Sequence, residues 1–254
     1  MSSEKKVEFN KNNIDEYLKE LAKIYRKIAG KNMPAELILI GGASVLINYG
    51  FRNMTTDIDA IISAASGMKD ALNIVRDKYN LPVGWLNNDF QKTSSYTPRL
   101  MRVSKYYKTY SNVLTIRTIS SEYLVAMKLK SGRAYKNDLS DIVGILYEHE
   151  RLGNPITLDS VKKATEELYD SWENISEQSR TFIADIFENN DLQTLYDKVC
   201  RDEKETKKDL IVFQQEYPGV MNEENVNDIA GNLSVARDKD SILAKLREKK
   251  SQDK

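Results

Sequence analysis

The chain has 254 residues, 41% hydrophobic and 30% charged, so it has enough apolar material for a buried core and is not of the disordered class. It contains one cysteine and one histidine, which excludes a disulfide framework and metal sites built from clusters of these residues. We interpret both of them, Cys200 and His149, as structural. Because no stretch approaches the ~18 apolar residues of a membrane span and no signal-peptide core is evident, we expect a cytoplasmic protein without membrane contact.

The periodicity of apolar residues predicts an α/β arrangement in the first part of the chain. A first helix is predicted over Asn13–Ala29, and the strand Leu37–Ile40 then leads through two glycines into a helix over Ser44–Tyr49. The next predicted elements are a strand, a helix and a third strand: Thr56–Ile62, Met68–Tyr79 and Val113–Ile119. The stretch between Tyr79 and Tyr110 has no clear pattern.

From Ser120 onwards every predicted element is a helix. These helices run from Ser120 to Lys130, Asn137 to Glu148, Thr157 or Asp159 to Trp172, Ser176 to Glu188, Asp191 to near Pro218, and Asn225 to Lys250. We therefore predict two domains, residues 1–153 and 154–254. The first carries 23 basic against 16 acidic residues, a net charge of +7, and the second carries 15 against 22, a net charge of −7. This asymmetry indicates different surfaces for the two parts.

Two glycines and a serine follow the first predicted strand: Gly41, Gly42 and Ser44. Glycines let the backbone turn sharply and approach an anion, and the start of a helix supplies partial positive charge. The Ser44 hydroxyl could add a hydrogen bond to a phosphate. Such a turn is equally typical of a plain connection between a strand and a helix, so both interpretations stay open.

Asp57 and Asp59 lie two residues apart in the second predicted strand, so their side chains share one face. Adjacent carboxylates repel unless a cation lies between them, and Mg²⁺ prefers oxygen ligands. The alternative is a solvated strand face. Together with the glycine turn, the pair predicts a site for Mg²⁺ and a nucleoside triphosphate.

The motifs around these residues resemble those of a known superfamily. Ile40–Ser44, Tyr49–Arg52 and Thr55–Asp59 resemble the signature of the nucleotidyltransferase superfamily, which has the DNA polymerase β-like fold. Ser121–Leu129, Gly132–Arg133 and Asn137–Ile142 resemble its prokaryotic branch related to AbiEii-type toxins. The resemblance covers about Leu37–Leu146. It implies a minimal nucleotidyltransferase fold, a small mixed sheet with flanking helices, followed by an all-helical C-terminal domain.

The resemblance implies roles for seven residues, and the sequence itself adds Arg133 and Lys136 as candidates. Asp57 and Asp59 would bind Mg²⁺, and Gly41, Gly42 and Ser44 would hold the triphosphate. Lys128 would contact the nucleotide, although a lysine on an apolar helix commonly pairs with a carboxylate instead. Asp141 fits the later acidic motif better than Asp138. Arg133, like Lys136, would bind phosphate or pair with Asp138.

The activity that the resemblance implies is Mg²⁺-dependent transfer of a nucleoside monophosphate from a nucleoside triphosphate to RNA, protein or a small molecule. A role as a toxin or phage-defence component would add an antitoxin protein as a partner. Many members carry a third carboxylate on a later strand, but the strand expected here, Val113–Ile119, has Thr115 and Arg117 instead. The alternative is therefore a degenerate member that binds nucleotide, RNA or protein without catalysis.

Residues 91–121 contain basic and tyrosine side chains but no acidic residue. The basic residues are Lys92, Arg99, Arg102, Lys105, Lys108 and Arg117, interleaved with Tyr96, Tyr106, Tyr107 and Tyr110. Cations for phosphates and rings for stacking suit an RNA acceptor. The other interpretation is a hairpin with one solvated basic face.

Overall fold

The computed structural model describes residues 7–133, 136–189, 191–222 and 225–236. The described part of the first 153 residues contains five strands, β1 Ala35–Leu39, β2 Ile58–Ser63, β3 Leu86–Asn87, β4 Lys105–Tyr110 and β5 Leu114–Thr118. Its helices are α1 Lys11–Ala29, α2 Gly41–Asn48, α3 Gly67–Tyr79, α4 Leu100–Val103, α5 Ser121–Ser131 and α6 Asp138–Arg151. The helices that follow are α7 Leu158–Tyr169, α8 Glu177–Glu188 and α9 Leu192–Glu216.

The five strands form one mixed sheet in the order β3-β2-β1-β5-β4. β1 pairs antiparallel with β2 and parallel with β5, while β3 runs parallel to β2 and β4 antiparallel to β5. The prediction of an α/β part followed by helices is confirmed. The central strand β1 is buried at Leu37, Ile38 and Leu39, so both of its faces are covered at these positions.

Side chains on the two faces of β1 belong to two different core clusters. Leu37 and Leu39 pack with α1 and α3 in the first cluster, whereas Ile38 packs with α5 to α8 in the second. The second cluster contains residues on both sides of position 153, Ile142 and Val161 among them. The described helices after residue 153 therefore pack on the same core as the sheet.

Several predicted boundaries differ from the observed ones. α1 begins at Lys11, because Asn10 caps it in a reciprocal pair of hydrogen bonds with Asn13. α2 begins at Gly41, so both glycines lie inside the helix rather than before it. The stretch without a clear pattern contains α4 and the strands β3 and β4. The last predicted helices are helical over 226–236, and the positions beyond 236 lie outside the described residues.

Candidate functional site

The glycine turn joins the end of β1 to the first turn of α2. Gly41 has φ +55°, a backbone conformation that favours glycine. A Cβ atom at Gly42 would lie 2.7 Å from Thr55 Oγ1 and 2.8 Å from Arg52 Nη2, so this position has no room for a side chain. The first amides of a helix have no acceptor within the helix, and Ile40, which precedes α2, makes no side-chain capping hydrogen bond. The turn therefore presents backbone donors at the positive end of a helix, which suits an anion.

Asp57 and Asp59 lie next to this turn. Asp57 is exposed and immediately precedes β2, while Asp59 is half-buried within the strand, and Ile58 and Ala60 on its opposite face are buried. A Cβ atom at Gly41 would lie 3.9 Å from Asp59 Oδ2. The start of β2 thus brings a carboxylate against the glycine turn.

The environment of Asp59 disfavours its ionised form. Burial is the largest cause that raises the pKa of Asp59, and the negative charge of Asp57 raises it further. The charges of Lys136 and Arg133, and a hydrogen bond with Asn87, act in the opposite direction without cancelling the shift. A cation between the two carboxylates would relieve this repulsion.

The two strands that neighbour β2 are β1 and β3, which corrects the expectation drawn from the third predicted strand. That strand, β5, is separated from β2 by β1, so Thr115 and Arg117 do not neighbour the aspartate pair. Asn87 of β3 stands in register with Asp59. An amide thus occupies the position on the adjacent strand. No sequence pattern indicated it, because β3 has only two residues.

The hydroxyl of Ser44 does not face the glycine turn's anion site. Ser44 is completely buried, and its Oγ donates a hydrogen bond to the carbonyl of Ile119 at 2.7 Å. The same oxygen accepts from the Ile119 amide at 2.9 Å. These two bonds tie α2 to the end of β5, and we therefore assign the hydroxyl to packing rather than to phosphate binding.

Lys128 lies at the centre of a buried charge array made of Arg52, Lys128, Arg133, Asp138 and Asp141. Its Nζ is 2.7 Å from Asp138 Oδ1 and 2.8 Å from Asp141 Oδ2, and only 7% of its side chain is exposed. Burial alone would lower the pKa of Lys128, but the two aspartates raise it above its usual value. Of the two alternatives for Lys128, the structure therefore shows the pairing with carboxylates.

The two aspartates of the array are paired with further cations. Arg133 Nε is 2.9 Å from Asp138 Oδ2, and Arg52 forms an ion pair with Asp141. Burial alone would raise the pKa of Asp138, yet Lys128 and Arg133 hold it well below its usual range. Asp138 therefore keeps its charge inside the protein.

Arg52 connects this array to the glycine turn. No residue was predicted from the sequence to have this role. The guanidinium of Arg52 pairs with Asp141, donates from Nε to the Met54 carbonyl at 3.1 Å, and limits the space at Gly42. The sequence did contain a signal for this residue. Arg52 ends the motif Tyr49–Arg52, which resembles part of the superfamily signature, and it lies five positions before Asp57. Lys136, exposed after α5, adds a further positive charge that acts on Asp59.

Most of the cations in the basic stretch 91–121 are paired with carboxylates. Four of its cations pair with carboxylates of separate elements: Lys92 with Asp89, Arg99 with Asp170, Lys108 with Asp15 and Arg117 with Glu36. Among the described residues, Arg102 and Lys105 have no carboxylate partner. Tyr110 is bonded to Asp15, while Tyr106 is 63% exposed. β4 also lies three strand spacings from β2, or about 14 Å.

The donor set at the aspartates suits Mg²⁺. This ion is commonly held by one or two carboxylates, with water and substrate phosphates completing the octahedron. Within the described ranges no group of three or more histidine, cysteine or acidic side chains gathers that could hold a metal. The pair formed by Asp57 and Asp59, open beside an anion-binding turn, therefore fits an ion that is shared with a phosphate ligand.

Within the same ranges, no helix has the length and apolar character required to cross a membrane.

Comparison with known proteins gives one match. A family model described as "Nucleotidyltransferase of unknown function (DUF6036)" matches residues 16–190, which include the glycine turn, the aspartate pair and the buried charge array. No curated protein and no solved structure matches the chain. The match covers more than half of the chain.

Proposed function

Since the chain belongs to this family of nucleotidyltransferases, we propose that it transfers a nucleoside monophosphate from a nucleoside triphosphate to an acceptor, with Mg²⁺ held by Asp57 and Asp59. The observation that carries the proposal is the pair Asp57 and Asp59, which has no ion pair among the described residues and lies beside the glycine turn at the start of α2. The DNA polymerase β-like fold and the kinship with AbiEii-type toxins remain predictions.

Each part of the site has a chemical task in this reaction. The backbone amides at Gly41 and Gly42 would bind phosphate oxygens of the triphosphate, and the exposed Lys136 would add positive charge on the same side. Arg133 stays paired with Asp138 and would contribute through its charge. Bound Mg²⁺ would neutralise charge on the transferred phosphoryl group and on the leaving pyrophosphate.

The buried array would act as support rather than as a reactant. Lys128 pairs with Asp141, Asp141 pairs with Arg52, and Arg52 borders the glycine turn. We therefore propose that Lys128 and Asp141 contribute to the turn's geometry and electrostatics without contacting the nucleotide. Phosphoryl transfer depends mainly on positioning and charge stabilisation, so it does not require a third carboxylate next to Asp59.

A label-transfer assay tests the proposal. The protein is incubated with each α-³²P-labelled nucleoside triphosphate and Mg²⁺, with total RNA, total protein or small-molecule acceptors. We expect label on one of these pools, and a loss of roughly 10³-fold or more for Asp57→Asn and Asp59→Asn. Asp70→Asn, which changes an exposed carboxylate of α3, is the matched control and should keep full transfer. Equal transfer by Asp59→Asn and the control would refute the mechanism.

A second candidate is a nucleotide-binding protein without catalysis. Asn87 favours it, because an amide cannot serve as the general base that a carboxylate on the adjacent strand would supply. Mg²⁺-dependent triphosphate binding with no label on any acceptor would support this alternative. Transfer that Asp57→Asn abolishes would exclude it.

A role as a toxin with an antitoxin partner is a separate proposal that concerns the cell rather than the chemistry. It predicts that expression of the chain slows growth and that Asp57→Ala restores growth at equal protein levels. Toxicity that persists in the Asp57→Ala variant would separate any toxic effect from nucleotide transfer.

A further inference from the structure

The start of α6 has no capping side chain of its own. Asn137 precedes the helix but makes no capping hydrogen bond, because its side-chain oxygen accepts from Lys207 of α9. The first amides of a helix need acceptors, and a buried helix start without them is costly. Two of these amides belong to Leu139 and Ser140, and Ser140 is buried.

Glu203 of α9 supplies the missing acceptors. Its Oε1 accepts from the Leu139 amide at 3.2 Å and from the Ser140 amide at 3.1 Å, and its Oε2 accepts from Ser140 Oγ at 2.5 Å. Only 4% of Glu203 is exposed. A carboxylate more than 60 positions further along the chain thus caps this helix.

The capped turn holds the aspartates of the buried charge array. Asp138 and Asp141 flank Leu139 and Ser140 on the first turn of α6, and Asp141 pairs with Arg52. Arg52 in turn lies against Gly42 of the glycine turn. A continuous line of contacts therefore runs from α9 through α6 to the site proposed for the triphosphate.

We propose that Glu203 is a positioning residue that sets the first turn of α6 and, through Asp141, the placement of Arg52 at the nucleotide site. The part that concerns nucleotide rests on the proposed function. Glu203 touches neither Asp57 nor Asp59 within hydrogen-bonding distance, and its effect on them passes through α6. The helices after residue 153 thereby contribute to a site built on the sheet.

The test compares three changes on α9. Glu203→Ala removes all three hydrogen bonds, while Glu203→Gln keeps an oxygen for the two amides and an amide that donates to Ser140 Oγ. Asp202→Asn alters the exposed neighbouring carboxylate and is the matched control. Ser140→Ala removes a single bond to Glu203 and gives a milder variant should Glu203→Ala fail to fold.

Two measurements need no nucleotide. We expect amide hydrogen exchange at Leu139 and Ser140 to accelerate at least tenfold in Glu203→Ala and to change less than threefold in Glu203→Gln. The NMR signal of the Arg52 Nε–H group should shift in Glu203→Ala and Ser140→Ala but not in Asp202→Asn. A folded Glu203→Ala protein with unchanged exchange and an unchanged Arg52 signal would overturn the proposal.

The third measurement is equilibrium binding of each nucleoside triphosphate with Mg²⁺. We expect about tenfold weaker binding for Glu203→Ala and recovery to within threefold for Glu203→Gln. If the unmodified protein binds none of the four nucleotides, the proposed function fails, while the exchange and Arg52 measurements still decide whether Glu203 positions α6. Unchanged affinity in Glu203→Ala together with a shifted Arg52 signal would overturn the link to nucleotide.

Discussion

The molecule contains two pairs of closely spaced aspartates in opposite environments. Asp57 and Asp59 lie at the start of a strand without an ion pair among the described residues, and the pKa of Asp59 is raised by burial and by Asp57. Asp138 and Asp141 lie on the first turn of a helix between three cations, and the pKa of Asp138 is lowered.

The difference between the pairs separates a ligand site from a structural one. The helical pair, Asp138 and Asp141, is already paired with cations of the protein. Binding a further cation there would therefore give no additional stabilisation. The strand pair, Asp57 and Asp59, has no ion pair among the described residues and lies beside the backbone amides of the glycine turn. A bound cation with an anionic ligand would therefore compensate its charge. Residue type and spacing are similar in the two pairs, whereas their burial and the surrounding charges differ.

The largest effect on stability is expected from removing the cation shared by the helical pair, Asp138 and Asp141. Lys128→Met retains the length of the side chain but leaves Asp138 and Asp141 without their shared cation. We expect the free energy of unfolding to fall by about 3–5 kcal/mol, because two buried carboxylates lose the cation that they share and keep only Arg133 and Arg52 as cationic partners. Urea unfolding measures this loss, and Lys163→Met on the exposed side of α7 is the control. A loss below 1 kcal/mol would show that the array is not structural.

The next effect concerns pH and Glu203, which connects α9 to the helical pair. Burial raises the pKa of Glu203 from 4.5 to about 7, opposed by its bonds to Ser140 and the charge of Lys207, while Asp141 adds to the rise. The titratable groups of Tyr196 and Cys200 also interact with Glu203. The folded protein thus binds this proton more tightly than the unfolded chain.

Stability from this group is therefore complete below about pH 4.5 and is lost as the pH rises to about 7. The expected loss is about 3 kcal/mol. Unfolding free energies at pH 5 and pH 8 measure it, and Glu203→Gln should remove this part of the difference. An identical pH difference in the variant would exclude Glu203 as its source.

A smaller effect of opposite sign is expected at the strand pair. Asp59→Asn removes a half-buried carboxylate that Asp57 repels, so the variant should gain a small amount of stability while it loses transfer. Thermal unfolding without divalent ions measures the gain. A destabilised Asp59→Asn protein would place this pair with the structural aspartates and remove the contrast.

The smallest effect is expected at Lys136. Its exposed charge acts on Asp59 and is proposed to assist triphosphate binding, so Lys136→Ala should weaken Mg²⁺–nucleotide affinity by about 1 kcal/mol, or roughly fivefold. Titration at low and high salt checks this, because screening should reduce the difference. Lys163→Ala is the control, and an equal change in both variants would exclude a specific role.

The sequence allowed the strand pair to be predicted, because alternation along a strand and two glycines before a helix are local patterns. Two strands could not be read from the sequence. β3 is only two residues long, and β4 is an edge strand whose exposed polar residues leave no apolar alternation. The cap from Glu203 could not be predicted either, because nothing local links a helix start to a carboxylate so far along the chain.

The roles of Ser44 and Lys128 were open for a different reason. The local pattern places Ser44 at a helix start and Lys128 on an apolar helix, and each position is compatible with a ligand or with an internal partner. Only the tertiary fold brings Ile119 to Ser44 and two aspartates to Lys128. Polar side chains at such positions gain their partners from distant elements.

We propose that Asp57 and Asp59, and not the buried charge array, bind the metal and the nucleotide. The decisive experiment is equilibrium binding of each nucleoside triphosphate with and without Mg²⁺, using the unmodified chain, Asp59→Asn and the control Asp70→Asn. We expect Mg²⁺-dependent binding by the unmodified chain and Asp70→Asn, and affinity at least tenfold weaker for Asp59→Asn. Mg²⁺-dependent binding by Asp59→Asn that is as tight as that of the unmodified chain would contradict this proposal.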